Sequence, residues 1–136
     1  MSQSHTHLCL SFHRAYARLR LHLDEELGTY HGIDLDDFAL LHSLEGREDD
    51  RAGLATIAAD LGTSRSALLR RLRPLEKIGL VAYDSGMKGR RIALRGPGLS
   101  LIKTARDTIE RVCARPSLSG DLEKFGACLY ESEMRG

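Results

Sequence analysis

Arginine and lysine concentrate between residues 65 and 95, and these side chains are the ones in the chain best suited to bind a polyanion. The segment holds nine basic and two acidic residues, a net charge of +7, whereas the whole chain carries +1, so the remainder carries −6. A guanidinium can donate two parallel hydrogen bonds to a phosphate or to O6 and N7 of guanine. This charge distribution predicts a nucleic-acid-binding surface kept apart from an acidic remainder.

A pattern of Ala58, Gly62 and Leu68 places the basic residues on a helix-turn-helix. Gly62 suits the sharp turn, Ala58 lets the two helices approach closely, and Leu68 anchors the second helix to the first. The opposite face of the second helix is then free to enter the major groove of DNA. We expect DNA contacts from the residues at its start and on this face: Ser64, Arg65, Ser66, Leu69, Arg70 and Arg73.

Position along this helix suggests separate roles. Arg65 and Ser66, near its start, are expected closest to the base edges, whereas Arg70 and Arg73 are expected on phosphates. Leu69 fits either contact with a thymine methyl group or packing inside the domain. Arg71 either joins the phosphate contacts or turns back towards the domain.

A short hairpin follows the helix, with strands predicted over residues 80–83 and 90–94. Its tip carries Lys88, Arg90 and Arg91, and narrow A·T-rich minor grooves attract such cations. We therefore expect a wing that adds minor-groove contacts to those of the helix, and the sequence leaves open which cation enters the groove.

Apolar residues at intervals of three and four predict the helices that position this surface. A stripe from Leu8 to Leu27 indicates a long first helix ending near Gly28, and Asp34 or Asp36 can cap a second. A polar loop over 46–51 leads to a third helix over 54–61, and Thr63 or Ser64 caps the fourth. Further helices are predicted over 98–114 and 119–131, with Pro116 breaking the chain between them.

The predicted fold is mainly α: a winged helix-turn-helix lobe with a short β-hairpin wing, flanked by N- and C-terminal helices. These outer helices have full apolar stripes, so they leave apolar surface that a second copy of the chain could cover. A two-fold dimer would place two recognition helices about one DNA turn (~34 Å) apart on a pseudo-palindromic double-stranded operator.

Residues 57–62, Arg65-Ser66, Arg70 and residues 75–81 resemble the multiple-antibiotic-resistance-regulator (MarR) family of bacterial transcription factors. The resemblance implies one domain over 1–136, with dimerisation helices over 6–32 and 97–133 and a winged helix-turn-helix over 33–96. It implies a homodimeric repressor released from DNA by a small ligand or an oxidant. The wing departs from the family pattern, because Gly86-Met87-Lys88 and Leu94-Arg95 stand where Asp-x-Arg and Leu-Thr are usual.

Three kinds of effector site come into consideration: a reactive thiol, a metal site and an organic-anion pocket. Cys9 resembles the sensing cysteine of the peroxide-responsive branch of the family, although a buried, inert thiol is the alternative. The histidines and nearby carboxylates have no tight metal-ligand spacing, so no metal site and no cofactor are predicted. The resemblance favours a small aromatic acid or phenol as effector, in a pocket near His13, Tyr16, Arg20 and His42.

Several classes of protein fit the sequence poorly. It has no apolar run long enough to span a membrane and no secretion signal, and three widely spaced cysteines favour a reducing, cytoplasmic location. No nucleophile–base pair or phosphate-binding glycine loop indicates an enzyme. The alternatives are a winged helix that binds acidic partners or DNA without sequence preference, and a thiol enzyme using Cys9.

Overall fold

The computed structural model describes residues 4–84, 86 and 89–135, and the side chains of these residues up to 126. Over this part the chain forms six α-helices, one 3-10 turn and three short strands. None of the described helices combines the length and the apolar character that a membrane crossing requires. The chain divides into two compact units, residues 33–106 and residues 1–32 with 107–136.

The unit of residues 33–106 is a winged helix-turn-helix. Helices α2 (Leu35–Leu44), α3 (Leu54–Leu61) and α4 (Arg65–Lys77) are followed by strands β2 (Val81–Asp84) and β3 (Arg91–Leu94). Strand β1 (Arg51–Gly53) precedes α3 and pairs with β3, so the antiparallel sheet has the order β1-β3-β2. Its core consists of fully buried leucine, isoleucine and valine side chains, among them Leu40, Ile57, Leu72, Val81 and Ile92.

Side chains near the helix starts fix where α2 and α4 begin. Asp34 caps α2 in a capping box, its carboxylate accepting the Asp37 amide at 2.8 Å while the Asp37 carboxylate accepts the Asp34 amide at 3.1 Å. Ser64 caps α4, its Oγ accepting the Ala67 amide at 3.1 Å. Of the residues weighed for each cap, the structure selects Asp34 and Ser64.

The second unit is helical. It contains α1 (His5–His31), α6 (Pro116–Arg135) and the end of α5, which runs over Gly96–Cys113. Thr108 is buried, and its hydroxyl lies 2.7 Å from His31 Nε2. Arg115 donates to Glu26 at 2.7 Å and Arg18 to Asp121 at 2.9 Å, so ion pairs connect α1 to the C-terminal segment.

Several boundaries differ from the sequence prediction, the two wing strands each by one residue. Helix α1 continues through Gly28 and ends at Gly32, which takes the left-handed conformation with φ 70°. The polar loop over 46–51 contains a 3-10 turn, Glu48–Asp50, and Arg51, the last residue of the loop, is the first residue of β1. Helix α5 begins two residues earlier than predicted, at Gly96, and α6 begins at Pro116. Proline fits there because the first turn of a helix does not use its amide hydrogens.

Candidate nucleic-acid interface

The turn before helix α4 takes the conformation that its glycine allows. Gly62 ends α3 with φ 66° and ψ 36°, a left-handed conformation that costs other residues more. The Thr63 amide donates to the carbonyl of Ala58 at 3.0 Å, closing the turn. Helix α4 therefore leaves α3 in a fixed direction, with the Ser64 cap at its first turn.

Helix α4 has one buried face and one basic, exposed face. Leu68, Leu72 and Leu75 are at most 3% exposed and anchor the helix. The predicted contact residues Ser64, Arg65, Ser66, Arg70 and Arg73 are exposed, whereas Leu69 is half-buried. The exposed face thus carries three arginines, and Leu69 lies at its edge.

Arg71 does not join that exposed face. Its guanidinium donates to Asp34 at 3.0 Å, to Asp37 at 2.8 Å and to Asp36 at 3.3 Å. It therefore ties α4 to the first turn of α2, which settles the choice left open by the sequence in favour of a contact within the domain.

The Arg71 cluster shifts the pKa of its members in different directions. Burial raises the pKa of Asp34, but the Asp37 amide and Arg71 outweigh it, so the net pKa lies below the ordinary value of 3.8. Burial raises the pKa of Asp37 and prevails over its hydrogen bond from Arg71, with the charge of Asp34 adding to the rise. Burial lowers the pKa of Arg71, but hydrogen bonds to Asp37 and Asp34 outweigh burial and raise it above its ordinary value. The fold therefore favours the charged form of Asp34 and opposes that of Asp37.

Two contacts join the end of α4 to the wing. Gly79 has φ 83°, and the Leu80 amide donates to the carbonyl of Leu75 at 3.0 Å. The Glu76 carboxylate accepts the amide of Tyr83, in β2, at 2.8 Å. An acidic residue on a basic helix therefore serves to position the hairpin, and the sequence reading assigned it no role.

The wing arginines share a cleft with the start of α4. Arg90 and Arg91 are exposed, and together with Arg65 they line a cleft of about 450 Å³. Its remaining walls are Gly89 and residues 53–55, where β1 leads into α3. The structure thus brings three of the predicted DNA-contact arginines together. Lys88, predicted at the wing tip, lies outside the described residues.

A second cleft, of about 440 Å³, lies along the sheet and has the opposite character. Three carboxylates line it, those of Glu48, Asp49 and Asp84, with the guanidinium groups of Arg51 and Arg91. Arg91 thus borders both clefts. The side of the wing nearer to α4 is basic and the other side is mixed in charge.

The predicted effector residues are dispersed among different environments. Tyr16 lines an apolar cavity of about 220 Å³, whose walls include Phe12, Leu118 and Phe125. His13 is exposed, Arg20 pairs with Asp24 at 3.3 Å, and His42, which belongs to the other unit, stacks on Phe38. A shared pocket for these residues stays a prediction.

Cys9 is exposed on α1 of the single chain, and a sensing role for its thiol stays a prediction. Cys113 is half-buried, and burial together with the charge of Glu110 raises the pKa of its thiol. Among the described residues, no three histidine, cysteine or acidic side chains are grouped as a metal site would require.

Besides Glu76, sequence reasoning missed two parts of this surface. The acidic partners of Arg71 lie 34–37 residues earlier in the chain, and spacing alone does not pair them. One signal was present: Arg71 follows Leu68 by three residues and precedes Leu75 by four, which places it on the buried stripe. Strand β1, one wall of the basic cleft, is only three residues long and carries no detectable alternation.

Solved structures match the fold over nearly the whole chain, although no protein-family model and no curated protein sequence matches it. AbsC from Streptomyces coelicolor, a MarR family transcriptional regulator, has a TM-score of 0.72 at 20% identity, covering 100% of this chain and 99% of that one. The Mycobacterium tuberculosis regulator MosR, solved with DNA, has a TM-score of 0.65 at 25% identity and coverages of 90% and 97%. The MarR family protein Rv2887 of M. tuberculosis, solved with p-aminosalicylic acid, has a TM-score of 0.67 at 24% identity and coverages of 93% and 98%. This chain has the winged-helix fold of the MarR family transcriptional regulators.

Proposed function

We propose that the protein is a MarR family regulator of transcription that binds double-stranded DNA in a sequence-specific manner. The observation that carries this proposal is the placement of charge. Residues 65–95 hold a net +7, and Arg65 at the start of α4 lines the same cleft as Arg90 and Arg91 of the wing. Phosphates supply most of the binding free energy to such a surface, and base edges supply the specificity.

Helix α4 enters the major groove in this proposal. Ser66 and Leu69 face base edges, with the Leu69 methyl groups against a thymine methyl, while Arg70 and Arg73 contact phosphates. The wing lies over the adjacent minor groove, which Arg90 or Arg91 enters. The Glu76–Tyr83 hydrogen bond supports this arrangement because it fixes the hairpin to the recognition helix.

The protein acts as a homodimer in this proposal, through its N- and C-terminal helices. Helix α1 exposes large apolar side chains at successive turns of one face, Leu8 at 47%, Phe12 at 48% and Tyr16 at 41%. Monomeric proteins rarely leave large contiguous apolar patches in water, and a second copy is the partner that symmetry favours. Two recognition helices about 34 Å apart then call for a pseudo-palindromic operator.

Binding represses transcription, and a small molecule or oxidant relieves the repression. The complex of Rv2887 with p-aminosalicylic acid supports a small aromatic acid as one class of effector. The exposure of Cys9 keeps an oxidant in consideration, because a sensing thiol must be accessible. Replacing neighbouring side chains would distinguish the two kinds of effector. His13 lies one helical turn after Cys9, so its replacement should affect the response to an oxidant, whereas Tyr16 lines the apolar cavity, so its replacement should affect the response to an aromatic acid.

Fluorescence anisotropy tests the proposal. The protein is titrated into the duplex from upstream of its own gene and into a scrambled duplex of equal composition, at several salt concentrations. We expect the protein to bind the operator at least about a thousandfold more tightly than the scrambled duplex, which is the low end of the range for sequence-specific DNA-binding proteins. Equal affinity on both duplexes with a steep salt dependence would indicate a winged helix without sequence specificity instead.

A further inference from the structure

The basic cleft lies where a DNA strand would have to pass. A helix in the major groove and a wing in the adjacent minor groove lie on either side of one sugar-phosphate strand, because that strand separates the two grooves. In this protein the basic cleft lies between those two elements. Arg65, at the start of α4, lines one side of it, and Arg90, in the wing, lines the other. A strand crossing from one groove to the next therefore runs over this cleft.

The walls of the cleft are joined by the backbone. The Leu54 amide, first in α3, donates to the carbonyl of Arg90 at 2.9 Å. Gly53 pairs with Arg91 in the β1–β3 ladder, so the start of α3 and the base of the wing form one framework. The cleft is thus built from hydrogen-bonded elements as well as from long surface side chains.

Charge distinguishes this cleft from its neighbour of similar size. The residues lining the basic cleft carry three arginines and no carboxylate, whereas three carboxylates line the neighbouring one. The floor is the N-terminal end of α3, whose N-cap is Gly53, a residue without a side chain to accept a hydrogen bond. The Leu54 amide is bonded to the Arg90 carbonyl, so the later amides of the first turn and the positive end of the helix dipole add to the attraction of the arginines for an anion.

We propose that this cleft binds a phosphodiester of the DNA strand between the two grooves, with Arg65 and Arg90 on its two sides. The proposal rests on the proposed function and assigns that function a phosphate site. It changes the expected role of Arg65, whose guanidinium contacts the backbone here and not a base edge. The cleft then sets the register between the recognition helix and the wing.

Gly53 offers a test that leaves the arginines in place. Its φ of −70° and ψ of 147° suit any residue, and an added Cβ would lie 3.8 Å from Thr56 Oγ1 and 3.9 Å from the Arg90 carbonyl oxygen. Asp and Asn have nearly the same shape and are both good N-caps. We expect G53D and G53N to be folded and at least as stable as the wild type, which thermal melting checks.

DNA affinity should separate the two variants. At about 0.1 M salt we expect G53D to bind operator DNA about tenfold or more weakly than G53N, because its carboxylate faces the phosphate at short range. The ratio should be similar on the scrambled duplex, since phosphates carry no sequence information. R65A should likewise lose a similar factor on both duplexes, whereas a base-reading arginine would lose affinity on the operator alone.

Neutral methylphosphonate linkages, placed at one position per half-site, locate the phosphate. At the contacted position the ratio of Kd values for G53D and G53N should fall to within about threefold, as a double-mutant cycle requires of a direct interaction. A ratio near one on unmodified DNA, or a ratio unchanged on every modified duplex, would overturn the cleft assignment alone. Failure of the wild type to bind any duplex would overturn the proposed function together with it.

Discussion

Replacing Arg71 by alanine should destabilise the fold while leaving the DNA-facing arginines in place. Its guanidinium contacts three carboxylates in the first turn of α2, at 2.8, 3.0 and 3.3 Å. The side chain of Arg71 is 32% exposed and that of Asp37 is 17% exposed. The cluster is therefore better shielded than an ordinary surface ion pair, and the variant leaves its carboxylates facing one another without this cation.

The size of the effect follows from this partial shielding. Hydrogen bonds to charged groups contribute about 1.5–3 kcal/mol when shielded, and exposed ion pairs about 0.2–1 kcal/mol. We expect Arg71→Ala to lower the free energy of unfolding by about 2–3 kcal/mol at pH 7, between a buried pair and an exposed one. Arg70→Ala is the matched control. Arg70 is the exposed sequence neighbour of Arg71, so its replacement should change the free energy of unfolding by less than about 0.5 kcal/mol.

The loss should depend on pH with a definite sign. The folded-state pKa of Asp34 lies below 3.8, so its contribution to stability is present above 3.8 and is lost as pH falls through that lower pKa. The raised pKa of Asp37 has the opposite sign, since its charged form opposes folding and protonation relieves the cost. Removing Arg71 raises both pKa values. The difference in unfolding free energy between wild type and variant should therefore be full at pH 7 and should narrow as the pH falls through the folded-state pKa of Asp34, which lies below 3.8.

Urea denaturation followed by circular dichroism between pH 3 and 7 measures this difference. Because the protein is proposed to be a dimer, all variants are compared at one protein concentration. An Arg71→Ala protein as stable as Arg70→Ala, or a difference independent of pH, would refute the role assigned to the cluster.

Three further predictions concern packing, the wing and the dimer. Gly98→Ala should destabilise the fold by about 1–3 kcal/mol in thermal or urea unfolding, because its Cβ would clash with the backbone carbonyl oxygen of Leu80. Gly28, in α1, is the control, because a Cβ added there would have no atom within 4 Å. Gly28→Ala should therefore stabilise the fold by about 0.4–1 kcal/mol, and a loss of stability equal to that of Gly98→Ala would contradict the steric argument. Glu76→Ala makes the chain more positive but removes the acceptor of the Tyr83 amide, so operator affinity measured by anisotropy should fall several-fold. Glu76→Gln keeps an acceptor oxygen and should stay closer to the wild type. Tighter binding by the alanine variant would show that the change in charge outweighs the positioning of the hairpin. Leu8→Glu should shift the protein towards monomer in sedimentation analysis, and an unchanged dimer would place the interface elsewhere.

The recognition helix and its turn followed from the sequence because local chemistry specifies them. The bounds of α3, Leu54–Leu61, agree with the predicted 54–61, since a helical stripe ends there at Gly62. The end of α1 was not determined in this way, because Gly28 and Gly32 are both present and only the fold decides which takes positive φ. Strand β1 depends on pairing with β3, a contact of about 40 residues in sequence separation that three residues cannot signal.

The candidate site was predictable to the extent that it lies on one element. Exposed arginines on α4 follow from periodicity alone, because Leu68, Leu72 and Leu75 define the buried face. The cleft was not predictable in this way, because it combines Arg65 with wing and β1 residues that only the folded sheet brings together. The carboxylate partners of Arg71 are likewise a product of tertiary packing.

Selection from a pool of random-sequence duplexes tests the central claim, sequence-specific binding by a dimer, most directly. The purified protein is bound to the pool, and the retained duplexes are sequenced over successive rounds. We predict enrichment of an inverted repeat whose half-site centres lie about 10 base pairs apart. A retained pool with no common sequence would contradict the account.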